Sequence, residues 1–89
     1  HYAPNCNVII LPDLNQIEKL ENSAQIGFEF THKLDFNILL NDNLDYMKQL
    51  YSFFIDCDKK NIQNAYCEIP RNDDRKPALM DRLVKASKK

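Results

Sequence analysis

The chain has 89 residues, 44% of them hydrophobic and 28% charged, and a net charge of −1. That is one domain's worth of chain with an ordinary globular composition, which excludes a multidomain enzyme and a barrel of eight β/α units. One glycine and four prolines exclude collagen-like and Pro/Gly-rich disordered chains, and the longest wholly apolar run, residues 8–11, falls far short of the roughly 20 residues that span a bilayer.

Residues 7–11 (Asn-Val-Ile-Ile-Leu) are a continuous β-branched run ending at Pro12, the pattern of a central strand covered on both faces. Asp13 is placed to cap a short helix with Gln16 at the capping-box position. Leu14, Ile17 and Leu20 recur at helical spacing, and the helix is expected to stop at Asn22-Ser23. Ile26, Phe28 and Phe30 then alternate with Gly27, Glu29 and Thr31, and Leu34, Phe36, Ile38 and Leu40 alternate with Asp35, Asn37 and Leu39. Two half-buried antiparallel strands are predicted there, with Glu29, Thr31, Asp35 and Asn37 on a wet face. The joint at His32-Lys33 lacks the residues that tight hairpin turns need, which points to a bulge or a longer connection.

Asp42 caps the longest predicted helix, about residues 43–57, whose apolar stripe is Leu44, Met47, Leu50, Tyr51, Phe54 and Ile55. Ile62 to Ile69 are read as a last strand with Ile62, Asn64, Tyr66 and Glu68 on one face. Pro77 opens a final helix with Leu79, Met80, Leu83 and Val84 along one edge. The order predicts an α+β fold: a small antiparallel sheet with two helices on one face, in ferredoxin-like βαββαβ order, plus a C-terminal helix. Residues 1–70 form the expected core, and residues 71–89 a basic loop and helix packed on it or extending from it.

Charge is uneven. Residues 1–70 balance to −5, whereas Arg71, Arg75, Lys76, Arg82, Lys85, Lys88 and Lys89 against Asp73, Asp74 and Asp81 leave residues 71–89 at +4. A tail of that sign suits phosphate, an acidic partner, or only the negative end of a helix dipole. Arg71, Arg75, Lys76, Arg82 and Lys85 are therefore the candidate partner or phosphate contacts.

Three cysteines at 6, 57 and 67, without a CxxC pair, suit neither a disulfide scaffold nor a structural zinc site. One Cys57–Cys67 bridge is possible, but small buried thiols are the commoner outcome. His32 stands near Asp35 with no nucleophile at a supporting spacing, so it reads as a surface histidine. The run Asp56 to Asn61 starts like a calcium loop, then places Asn61 where glycine is needed and Cys67 where a bidentate glutamate is needed. With Gly27 the only glycine, no Gly-rich phosphate loop can be built. No metal and no cofactor is expected.

Two partial resemblances remain. The element order, with Val8-Ile9-Ile10-Leu11-Pro12 leading into a helix, is similar to that of the RNA-recognition motif. That family stacks bases on exposed aromatics of its sheet. Here Lys33-Leu34-Asp35-Phe36-Asn37 lacks the third-strand glycines and aromatic pair, and Phe28, Phe30 and Phe36 fall on the same side as the aliphatic residues, the side expected to pack on the helices. The segment Lys76-Pro77-Ala78-Leu79-Met80-Asp81-Arg82-Leu83 resembles the second half of a SAP motif, a helix–loop–helix DNA binder, without that family's loop glycine. The resemblance implies phosphate contacts from Arg75, Lys76, Arg82 and Lys85.

The resulting expectation is a non-enzymatic, intracellular (cytoplasmic or nuclear) protein-interaction or regulatory module cut from a larger protein. It would bind through a sheet edge or the C-terminal helix. The partner would be another protein, another part of the parent chain or a second copy, and no membrane is involved. The alternative is a nucleic-acid-binding domain using residues 71–89.

Overall fold

In the computed structural model, which describes residues 2–88, the apolar run becomes β1 (Asn7–Leu11). It is followed by β2 (Ser23–Gly27), β3 (Phe36–Leu39), α1 (Asn43–Lys59), β4 (Asn64–Glu68) and α2 (Lys76–Ser87). The four strands lie in the order β1-β4-β2-β3, and every neighbouring pair is parallel. The antiparallel, ferredoxin-like α+β sheet expected from the sequence is therefore corrected to a parallel α/β sheet. Period-two alternation states which residues share a face; it carries no information on strand direction.

The connections explain the order. From β1 the chain crosses one face of the sheet through residues 12–22 and settles as β2 two strand positions away, leaving a gap one strand wide. It crosses the same face through residues 28–35 to β3, then returns over the opposite face as α1 and fills the gap as β4. Reversing both the direction of travel and the face keeps a single crossover hand, as parallel connections require.

Each face then has its own core. Val8, Ala24, Ile26, Ala65 and Cys67 point to the helices and meet Tyr46, Leu50, Phe53 and Phe54 of α1 and Leu79, Leu83 and Ala86 of α2. Burying Phe54 or Leu50 is worth about 1.5–3 kcal/mol by area. Phe53 also stacks on Phe36 of β3 at 5.5 Å between centroids. On the other face Leu14, Leu34 and Tyr66 cluster with Ile9, Leu11, Ile17 and Phe30. Coverage on both faces is why β1 is apolar from Val8 to Leu11, although it is an edge strand rather than the expected central one.

The expected helix after Asp13 shrinks to one 3-10 turn, Leu14–Gln16; Asp13 still caps it, accepting from the Asn15 N–H at 2.9 Å. Only Leu14 of that segment is fully buried, so no second turn has an apolar face to anchor it. The predicted strands at 26–31 and 34–40 are also corrected: β2 ends at Gly27, and residues 28–35 form the crossover.

Helix α1 begins and ends on local signals. Asp42 accepts from the Asp45 N–H at 2.8 Å as the N-cap, and the Asp45 carboxylate accepts from the N–H of Asn41, just before the cap, at 3.0 Å. At its end Asn61 adopts φ 56°, the Asn61 N–H donates to the Asp58 carbonyl, and the Ile62 N–H donates to the Cys57 carbonyl at 2.9 Å. That is a Schellman closure with Ile62 buried against the core. The run that began like a calcium loop is thus a helix end.

Candidate functional site at the carboxyl ends of the strands

In open parallel sheets the place where successive connections leave to opposite faces is the usual ligand crevice. Here that place lies between the carboxyl ends of β4 and β2. Glu68, the last residue of β4, turns its carboxylate across to β2, where Oε1 accepts from the main-chain N–H of Phe28 at 2.8 Å and of Glu29 at 3.3 Å. Two successive N–H groups aimed at one oxygen form a small anion-holding concavity. Gly27 makes the approach possible: a Cβ there would collide with Leu14 Cδ1 and Glu68 Oε1 and lie 2.8 Å from Glu68 Cβ.

Around this contact the chain is pinned by buried polar groups. The Tyr46 hydroxyl donates to the Glu68 carbonyl at 2.8 Å. Burial, then the neighbouring Cys67 and Glu68, holds the Tyr46 phenol well above its ordinary 10.0. Asn43, buried in the first turn of α1, donates to the Arg71 carbonyl and to Asp73 Oδ1, both at 2.7 Å, and accepts from the Arg71 N–H at 3.0 Å. The Asn43 amide and then the Arg75 N–H favour the charged form of Asp73 and hold it below its ordinary 3.8. With its backbone so fixed, Arg71 lays its guanidinium 4.4 Å over the Phe28 ring and stays exposed to solvent. The Phe28, Glu29 and Asn43 donors are all taken within the protein, so what the arrangement presents outward is one positioned cation, Arg71.

The five basic candidates divide. Arg71 is at this crevice. Arg75 stands at the start of α2, and Lys76 donates to Asn72 Oδ1 at 2.8 Å. Arg82 borders a groove between α1 and α2, and Lys85 is paired to Asp81 at 2.9 Å. Lys89 lies outside the described residues. His32 belongs to the loop-covered face, where its carbonyl accepts from Gln25 Nε2 at 2.8 Å. The sheet separates it from the cysteines.

All three cysteines are thiols in the helix-side core, including Cys6, so the possible Cys57–Cys67 bridge is not formed. Among the described residues no group of three or more His, Cys, Asp or Glu side chains is placed to hold a metal, and no helix is long and apolar enough to cross a membrane.

Sequence reasoning missed Glu68, Asn43 and Tyr46, whose partners are 22 to 40 residues away. One signal was available: a lone glycine inside a strand pattern marks a close approach.

A family model described as "Threonylcarbamoyl-AMP synthase, C-terminal domain" matches residues 1–88. Comparison with curated proteins and with solved structures gave no match. The family finding overturns the expectation of a non-catalytic interaction or regulatory module, its nucleic-acid-binding alternative, and the placement of the chain outside enzymes. That expectation rested on polar groups converging nowhere along the sequence, whereas Glu68, Asn43 and Arg71 converge only in the fold. With nearly its whole length matched, the chain belongs to the threonylcarbamoyl-AMP synthase C-terminal domain family.

Proposed function

We propose that this chain works as the carboxyl-terminal domain of an enzyme that forms threonylcarbamoyl-AMP and contributes to that synthesis through the crevice at the ends of β2 and β4. The family match over residues 1–88 carries the reading. The chemistry of the crevice supports it. A threonylcarbamoyl group joined to AMP is an acyl phosphate anhydride bearing both a carboxylate and a phosphate, and Arg71 is an exposed guanidinium suited to either anion. Glu68 and Asn43 act as positioning residues that hold the Phe28 and Arg71 backbones. The partner in this reading is another part of the same parent chain, the portion of the synthase that precedes a C-terminal domain.

The test uses the intact synthase carrying Arg71→Ala, alongside a form lacking residues 1–89, with threonylcarbamoyl-AMP measured by mass spectrometry. Losing a charge-assisted contact is expected to lower the rate by about tenfold with thermal stability retained. Rates equal to the unaltered enzyme in both forms would overturn the reading.

A further inference from the structure

A second groove lies between α1 and α2, away from the crevice. It encloses about 590 Å³ and is lined by Tyr2, Leu50, Tyr51, Phe54 and Arg82. Leu50 and Phe54 form an apolar floor, each at most 3% exposed. Tyr51, 61% exposed, presents its ring at the mouth and meets the Tyr2 ring edge-on at 5.6 Å between centroids. Tyr2 is itself held, because its hydroxyl donates to the Asp58 carboxylate, which also accepts from the Asn5 N–H at 2.9 Å.

Among the described residues the one cation lining the groove is Arg82, and no hydrogen bond or ion pair from it to another described residue forms, whereas Lys85 one turn on is neutralised by Asp81. A ligand that satisfies these walls brings a flat ring for Tyr51 and Tyr2 and one anionic group for a guanidinium fork. The volume falls within the range of about 300–1,000 Å³ typical of small-molecule sites.

We infer that the α1–α2 groove is a binding site for an aromatic anion of the nucleoside monophosphate class, the base on the tyrosines and the phosphate on Arg82. This stands on the groove alone and does not depend on whether Arg71 and Glu68 serve the synthesis.

The experiment is a titration of the ¹⁵N-labelled 89-residue chain with AMP, adenosine and inorganic phosphate, read on its amide resonances. AMP is expected to shift Leu50, Tyr51, Phe54 and Arg82 saturably, adenosine more weakly, and inorganic phosphate not at all. Arg82→Gln and Tyr51→Leu, both surface changes, are each expected to weaken AMP by about tenfold while the remaining spectrum stays native. Absence of AMP shifts at these residues would overturn the inference. So would equal affinity in both variants, or equal shifts from phosphate alone.

Discussion

The Glu68 carboxylate accepts the Phe28 N–H at 2.8 Å and so ties the carboxyl end of β4 to the start of the crossover that leaves β2. The bond spans 40 residues and takes the place of strand pairing beyond Gly27. In Glu68→Ala the two N–H groups lose their acceptor. Amide hydrogen exchange at Phe28 and Glu29 should quicken by about tenfold or more, and unfolding stability should fall by about 1–3 kcal/mol. Unchanged exchange would remove Glu68 from its positioning role.

Gly27→Ala should destabilise through overpacking rather than through backbone conformation, since Gly27 has no positive φ. A methyl between Leu14 and Glu68 must displace both, at a cost of about 1–3 kcal/mol in urea unfolding.

Asn43→Ala removes two main-chain bonds to Arg71 and one bond to Asp73. A stability loss of about 1–3 kcal/mol is expected at neutral pH. Asp73, held below its ordinary value in the fold, contributes stability that is complete above the unfolded value of about 3.9 and is lost as pH falls through the folded one. The gap between Asn43→Ala and the unaltered chain should therefore narrow in acid, which unfolding curves at pH 7 and pH 3 would read.

Tyr46 acts at the other end of the scale. Its folded phenol is held well above 10.0, so the unfolded chain ionises first and stability declines as pH rises past about 10. Tyr46→Phe loses the bond to the Glu68 carbonyl, about 0.5–1.5 kcal/mol near neutrality, and should show a shallower alkaline decline in thermal melts.

Cys6, Cys57 and Cys67 are each at most 4% exposed. A hydrogen bond with Cys6 and then burial push the Cys57 thiol up, and burial does the same for Cys67. Thiolate is the reactive form, so alkylation by iodoacetamide at pH 7 should be negligible in the native chain and reach all three cysteines in denaturant, as counted by mass.

Local features of this protein were legible in the sequence because their chemistry is local. Asp42 and Asp13 cap where they stand, and Leu50 and Phe54 of the predicted stripe bury as read, whereas Leu44 and Tyr51 are exposed and Tyr46 and Phe53, outside that stripe, are buried. Ala65 and Cys67 alternate against Asn64, Tyr66 and Glu68, as a strand's period of two demands. Strand direction and order were decided only in three dimensions. Alternation is identical for a parallel and an antiparallel neighbour, and the reversal of face between residues 12–35 and α1 is set by crossover handedness over the whole chain. The crevice follows from that order, because Glu68, Phe28, Asn43 and Arg71 meet only when β4 inserts between β1 and β2.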